Sequence, residues 1–201
     1  TDEQLSALNM AMDHKSFKVV AYAGAGKTTT LKLIGERLRG RGLYLAFSKA
    51  IANDARAKFP PHVECRTFHS LAYRHVARDI TAKLSLPRFS PKRLGDDLGL
   101  QPVQVRRQMD GVNKYITPTP ARLSRFVNDA ISNFCSTHAS YPAPRHILFP
   151  SWLDGSDAER LREMLYPAVE QRWLQSIDAR HPAGIGHDIY LKLWALSKPS
   201  I

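Results

Sequence analysis

Residues 21–30, AYAGAGKTTT, combine small residues with one lysine and a run of hydroxyl side chains. Glycines at positions 24 and 26 let backbone N–H groups turn towards a phosphate, and Lys27 can reach the β- and γ-phosphates as a point charge. The Thr28 hydroxyl is of the type that ligates Mg²⁺. The stretch therefore predicts a site for ATP and Mg²⁺, with Lys27 and Thr28 as the candidate catalytic residues and Thr28 as the metal ligand. The predicted nucleotide contacts are Ala23, Gly24, Ala25, Gly26, Lys27, Thr28 and Thr29.

Two features qualify this prediction. The first position of the phosphate-loop pattern is Ala21 instead of glycine, but alanine is nearly as small. Hydrolysis also needs a strand that ends in an acidic residue, which holds the metal, and a further acid that orients the attacking water. No apolar run after residue 30 ends in such an acid, and Asp96-Asp97 lie inside a helical pattern. The chain is thus expected to hold half of an ATPase site.

The elements around the loop are typical of an α/β fold. An apolar run, FKVVAY at 17–22, precedes the loop and predicts a buried strand. Further strands are predicted at 42–47 and 62–66, and helices at 27–39, 49–59 and 67–78. Strands that alternate with helices at this spacing indicate a parallel sheet with helices on both faces.

The pattern changes after residue 78. Helices are predicted at 101–116, at 120–137 with Pro120 as the first helical residue, and at 156–180 with a bend or interruption at Pro167. An amphipathic helix is predicted at 187–201. The predicted organisation is an α/β domain at 1–78, an all-helical inserted subdomain at 79–186 and a return to the α/β domain at 187–201.

The amino-acid composition indicates which class of partner the chain binds. The net charge is +11 and the isoelectric point about 9.9, which favours a polyanionic partner over a merely basic surface. Residues 1–78 carry 13 Lys or Arg against 6 Asp or Glu, whereas residues 79–186 carry 14 against 11. Cys65 and Cys135 have no neighbours at zinc-ligand spacing. No signal peptide or membrane-spanning run is evident, so a cytoplasmic location is expected.

Four blocks of sequence resemble the UvrD/Rep-type superfamily-one DNA helicases, and most closely their F-box-helicase-like branch. The blocks are AYAGAGKTTTL at 21–31, LYLAFSKAIANDA at 43–55, CRTFHSLAYR at 65–74 and HDIYLKLWALSKP at 187–199. The resemblance implies a phosphate-loop NTPase of the RecA-like type, split by a helical subdomain. It also implies that the chain is the N-terminal part of a longer helicase, whose acidic Walker B strand follows Ile201.

The resemblance assigns further roles. It implies that Gln4 recognises the adenine edge through an amide that both donates and accepts hydrogen bonds. It implies that two blocks contact single-stranded DNA, where an aromatic side chain can stack a base and polar groups can hold phosphates. The implied DNA-binding residues are Phe47, Ser48, Lys49, Thr67, Phe68 and His69. A buried core aromatic at 47, and a capping or packing role for His69, remain alternatives.

The implied function is an ATP-dependent DNA helicase or translocase with 3′-to-5′ polarity. Its partners are single-stranded DNA or a junction between single and double strands, and a second RecA-like domain of the same full-length chain. The 201 residues alone are expected to be inactive. Two other hypotheses stay open: a nucleotide- and DNA-binding module without turnover, and an unrelated phosphate-loop phosphotransferase. DNA repair, recombination control and plasmid maintenance are all compatible pathways.

Overall fold

The computed structural model describes residues 1–109, 112–153 and 155–200. The chain divides into two compact units, Thr1–Leu71 and Ala72–Ile201. The described helices are α1 Asp2–Met12, α2 Lys27–Arg37, α3 Lys49–Lys58, α4 Phe68–His75, α5 Arg78–Ala82, α6 Pro91–Asp97, α7 Pro120–Cys135, α8 Gly155–Ile177 and α9 His187–Leu196. The described strands are β1 Gly42–Ala46, β2 Val63–Thr67, β3 Val105–Met109 and β4 Val112–Ile116.

The sheet of the first unit consists of two parallel strands. β1 pairs with β2 in the register Gly42↔Val63 to Ala46↔Thr67. The strands predicted at 42–47 and 62–66 are confirmed, and so are the helices predicted at 27–39, 49–59 and 67–78. The chain is therefore α/β, with a parallel sheet that is narrower than predicted.

The strand predicted at 17–22 is wrong. These residues form no regular element, and the side chains of Val20 and Tyr22 are 84% and 91% exposed. A strand needs a neighbour whose backbone groups can complete its hydrogen-bond ladder. Within the described residues, β1 and β2 pair only with each other, so the apolar run has no ladder to join.

Helix α2 packs with its second half beside the amino ends of the strands. Nε2 of His62 lies 2.9 Å from the carbonyl oxygen of Gly35. A Cβ atom at Gly35 would lie 3.4 Å from Cγ2 of Val63, the first residue of β2, so this part of α2 is in van der Waals contact with the start of the strand. The phosphate loop precedes the other end of α2.

The second unit contains a β-hairpin where a helix was predicted. β3 and β4 pair antiparallel from Val105↔Ile116 to Met109↔Val112. The helix predicted at 101–116 is therefore wrong, and the 79–186 region is not all-helical. The sequence between the strands is Asp110-Gly111, which lies outside the described residues and is the dipeptide most typical of two-residue hairpin connections. The prediction of a helix at 101–116 did not take this dipeptide into account.

Helix α8 runs without interruption through Pro167. Proline removes a backbone hydrogen bond and normally kinks or breaks a helix, at a cost of about 3 kcal/mol. Leu165 and Val169, on either side of Pro167, are fully buried in the hydrophobic core. Burial of these flanking side chains offsets the lost hydrogen bond, so the interruption predicted at Pro167 is wrong.

The second unit has the larger core. Its buried cluster includes Leu123 and Phe134 of α7, Leu165 of α8 and Ile189 of α9. Thr119 caps α7 and Pro120 is its first residue, as predicted. None of the helices in the described part of the chain combines the length and apolar character needed to span a bilayer.

Two buried lysines bind backbone carbonyls at helix ends. Nζ of Lys83, a residue 1% exposed, donates to the carbonyl oxygens of Gln175 at 2.8 Å and Asp178 at 2.5 Å, at the C-terminus of α8. Nζ of Lys192 donates to Thr137 at 2.8 Å and Ala139 at 2.6 Å, just beyond α7. Burial lowers the pKa of both ammonium groups. The carbonyls that a helix leaves unpaired at its end thus have charged donors inside the protein.

Candidate nucleotide-binding site

The phosphate loop has the backbone conformation that its glycines predict. Gly24 has a φ of +79° and Gly26 a φ of +75°, in the left-handed region that favours glycine. Gly26 is the N-cap of α2 and supplies no side-chain hydrogen bond to it. The first N–H groups of α2 therefore have no partner within the helix, and the helix dipole makes this end attractive to an anion.

The loop is open to solvent. A Cβ atom at Gly24 would meet no atom within 4 Å, and the side chains of Ala23, Ala25, Thr28 and Thr29 are exposed. The loop backbone and the Thr28 hydroxyl are thus accessible to a triphosphate and its metal ion.

Lys27 folds back over the loop. Its Nζ donates to the carbonyl oxygens of Tyr22 at 2.6 Å and Ala21 at 3.1 Å. These bonds hold the ammonium against the backbone at the start of the loop. The same ammonium can exchange two carbonyl oxygens for phosphate oxygens, which carry more charge.

Gln4 lies next to the loop and contacts Thr30, from which it is separated by 26 positions in sequence. Its Nε2 donates to Oγ1 of Thr30 at 3.2 Å, and its Oε1 accepts from the backbone nitrogen of Thr1 at 3.0 Å. The second bond belongs to a capping box at the start of α1. A Cβ atom at Gly26 would lie 3.3 Å from Nε2 of Gln4, so the glycine also makes room for this amide.

Thr30 was not predicted as part of the site. It is buried, and its Oγ1 donates to the carbonyl oxygen of Gly26 at 3.1 Å while accepting from Gln4. Thr30 thereby joins α1, the loop and α2. Thr30 lies four residues after Gly26, at the spacing of one helical turn, and this spacing is the signal in the sequence from which the contact could have been predicted.

A cavity of about 490 Å³ lies between α1 and the loop. Its lining combines Gln4 and Lys27 with apolar side chains of Val19, Val20 and Tyr22. The volume is in the range of small-molecule sites, roughly 300–1,000 Å³. An apolar wall beside a charged loop suits a ligand with a flat base at one end and phosphates at the other.

The residues predicted to bind DNA lie at one edge of the sheet. Because β1 and β2 are parallel and Ala46 pairs with Thr67, the segments that follow the two strands share the carboxyl edge. These segments carry Phe47, which is 91% exposed, and the exposed Phe68. The structure brings together the six predicted side chains, which are Phe47, Ser48, Lys49, Thr67, Phe68 and His69.

The polar members of this group also shape the backbone. Oγ of Ser48 accepts from the backbone N–H of Ile51 at 3.3 Å and caps α3. Oγ1 of Thr67 accepts from the N–H of Ser70, and Oγ of Ser70 accepts from the N–H of Thr67, both at 3.1 Å. These hydrogen bonds fix the two turns and leave the aromatic side chains facing solvent.

Comparison with known proteins gives two relatives that are helicases. F-box DNA helicase 1 of Gallus gallus is 28% identical over 218 aligned residues, covering all of this chain. F-box DNA helicase protein 1 of Schizosaccharomyces pombe is 42% identical over 77 residues, or 38% of this chain.

The chain spans 20% and 8% of the length of these curated relatives. No family model matches the chain, and no solved structure matches it. The chain is thus similar to part of two F-box DNA helicases.

Proposed function

We propose that this chain is the ATP-binding part of a DNA helicase of the UvrD/Rep type. The observation that carries the proposal is the loop at 21–30, where two left-handed glycines precede an uncapped helix with Lys27 beside it. The two relatives are named as DNA helicases, and this supports the proposal of helicase activity on DNA. Together they favour a motor over a small-molecule phosphotransferase.

The geometry of the loop supports the following proposed roles at the nucleotide. The backbone N–H groups from Gly24 to Thr28 and the ammonium of Lys27 would hold the phosphates of ATP, and the Thr28 hydroxyl would hold Mg²⁺. Bound Mg²⁺ would neutralise phosphate charge during phosphoryl transfer. In this proposal Gln4 recognises the adenine from the α1 side of the cavity, and Thr30 orients the Gln4 amide through their 3.2 Å hydrogen bond.

Single-stranded DNA would bind at the carboxyl edge of the sheet. Phe47 and Phe68 are exposed there, and base stacking on an aromatic side chain contributes about 1–3 kcal/mol per base. Lys49 would contact phosphates. The proposed organisation is a RecA-like domain formed by 1–78 and 187–201 and an insertion at 79–186. The full-length protein would also contain a second RecA-like domain, and it would move along DNA in the 3′-to-5′ direction.

A second candidate function is a nucleotide- and DNA-binding module without turnover. One observation favours it for these 201 residues by themselves. Among the described residues, the carboxylate along the nucleotide cavity is that of Glu3, in the first turn of α1. A carboxylate there is not at a strand end, which is where an acid that positions the metal or the attacking water is needed.

ATP hydrolysis by the full-length protein, with and without single-stranded DNA, tests the helicase proposal. We expect turnover that rises with DNA and falls by at least about 100-fold in Lys27→Ala, the scale of losing one preorganised charged donor at the reacting group. Lys32→Ala is the matched control, because Lys32 lies on the same helix and forms an ion pair with Glu36 at the surface, at 3.5 Å. Turnover that is indifferent to DNA would contradict the motor.

The same variants separate binding from turnover in the 201-residue chain. We expect this chain to bind a fluorescent ATP analogue with Mg²⁺ and to hydrolyse none of it, with binding lost in Lys27→Ala and retained in Lys32→Ala. Binding that survives Lys27→Ala would refute the assignment of the loop.

A further inference from the structure

A second polar cavity lies within the Ala72–Ile201 unit, and we name it the Arg172 cavity. It has a volume of about 190 Å³ and lies between the loop before α6, the helices α7 and α8, and the start of α9. Its polar lining residues are Arg88, Asn128, Ser132, Arg172, Ser176 and Asp188. No role in the nucleotide site involves any of them.

Arg172 is a buried charge with incomplete hydrogen bonding. The residue is 8% exposed, and its Nε donates to Oδ1 of Asn128 at 3.3 Å. Its Nη1 has no hydrogen-bond partner in the described part of the chain. Burial lowers the pKa of this guanidinium, and the nearby charge of Arg88 acts in the same direction against the opposing effect of Asp97. A buried donor without a partner is costly, so a group that accepts from it stabilises the fold.

The other groups around Arg172 are mainly donors. Arg88 is exposed and forms no ion pair with a described residue. Because Asn128 uses its oxygen for Arg172, its Nδ2 remains a donor. Gly186 is the N-cap of α9, and the dipole of a helix is positive at this end, which favours an anion.

Two carboxylates lie close enough to the Arg172 cavity to affect its charge. Asp97 accepts from Nε2 of Gln175 at 2.7 Å and lies 3.8 Å from Nε2 of His181, so it is already engaged. Asp188 lines the cavity and would repel an anion, but it also lies in the first turn of α9, where a carboxylate is stabilised by the helix dipole. Two guanidinium groups against one lining carboxylate leave the cavity positive.

We infer that the Arg172 cavity binds a phosphate group, either inorganic phosphate or the terminal phosphate of an oligonucleotide. Donors from two arginines, an amide and a hydroxyl surround the space, which suits four tetrahedral oxygens better than a planar carboxylate. Arginine is the side chain best adapted to phosphate oxygens. A volume of about 190 Å³ accommodates a single phosphate group.

The test is a titration with inorganic phosphate at constant ionic strength, followed by the backbone amide NMR signals of α7, α8 and α9. It uses the Lys27→Ala chain, so that binding at the loop at 21–30 does not contribute. We expect saturable shifts in these helices. Arg88→Gln should weaken phosphate binding about tenfold, the effect of losing one charge-assisted hydrogen bond, and leave the fold intact because Arg88 is exposed.

Arg125→Gln is the matched control, since Arg125 is exposed on α7 and does not line the cavity. It removes the same charge and should leave phosphate binding unchanged. Absence of saturable shifts, or equal weakening by Arg88→Gln and Arg125→Gln, would overturn the inference. Arg172→Gln is the direct variant where it folds, and it should abolish the shifts.

The source of the phosphate is assigned by two short oligonucleotides, one with a 5′-phosphate and one without. Tighter binding of the phosphorylated form, lost in Arg88→Gln, supports the site and assigns a nucleic-acid end. Shifts with inorganic phosphate alone support the site and assign a free phosphate. Binding of both oligonucleotides with equal affinity, insensitive to Arg88→Gln, contradicts it. Because the nucleotide loop is disabled throughout, failure here is independent of the proposed helicase function.

Discussion

Replacement of Lys83 by methionine should destabilise the Ala72–Ile201 unit by about 2–4 kcal/mol. The ammonium donates to two carbonyl oxygens at the end of α8, and each hydrogen bond to a charged group contributes about 1.5–3 kcal/mol. Removal of a buried charge recovers part of this, because the ammonium is no longer desolvated on folding. Methionine keeps the length and apolar stem of the side chain, so the loss reports mainly on the two hydrogen bonds.

Tryptophan fluorescence during urea denaturation measures this effect on the correct unit. All three tryptophans, Trp152, Trp173 and Trp194, lie within Ala72–Ile201. Lys92→Met is the control, because Lys92 is exposed on α6, and it should change the free energy of unfolding by less than about 0.5 kcal/mol. Equal stability of the Lys83→Met and Lys92→Met chains would refute the role given to the buried ammonium.

Three further changes test other contacts. Gly26→Ala should weaken binding of a fluorescent ATP analogue, because alanine in the left-handed backbone beside the cavity is strained by about 1–2 kcal/mol. Gly40→Ala is the control: Gly40 also has a positive φ, of +108°, but it does not line the cavity, so the affinity should not change. Gly184→Ala should lower the free energy of unfolding, measured by urea denaturation, by at least about 3 kcal/mol, because the new Cβ would lie 2.1 Å from a backbone carbonyl oxygen. Gly155→Ala is the control and should leave stability unchanged, because a Cβ there would meet no atom within 4 Å. Burial raises the pKa of the Cys135 thiol from 9.0 to about 12. Above pH 9 the thiol therefore ionises more readily in the unfolded chain, and the free energy of unfolding falls by at most about 1.4 kcal/mol per pH unit. Cys135→Ala should remove this fall, and an unchanged dependence of stability on pH would contradict the prediction.

Local patterns predicted those elements whose signals are complete within a few residues. β1 is a short apolar run, β2 begins by alternating apolar with charged residues, and α7 begins where Thr119 and Pro120 mark a helix start. The left-handed glycines of the phosphate loop were likewise predictable, because only glycine adopts that backbone without strain. In each case the side chain or backbone preference of the residue itself determines the local structure.

The errors come from contacts that a local pattern does not contain. The run at 17–22 has strand-like residues but no neighbouring ladder among the described residues. A helix was predicted at 101–116, where the chain instead forms β3 and β4, and the pairing of these strands is a contact between residues distant in sequence. Lys83 and Lys192 have the composition of surface residues, and only the fold brings carbonyl oxygens to their ammonium groups.

The two units differ in the size of the side chains they bury. In Thr1–Leu71 the buried apolar side chains are alanines and Cys65, whereas the second unit buries phenylalanine, tryptophan and leucine. Burial stabilises roughly in proportion to apolar area, so the first unit gains less from folding. Under the proposed function, ATP at 100 times its dissociation constant would add about 2.7 kcal/mol to that unit. The cellular nucleotide level would then govern how long the Thr1–Leu71 unit survives proteolysis, independently of any work the motor performs.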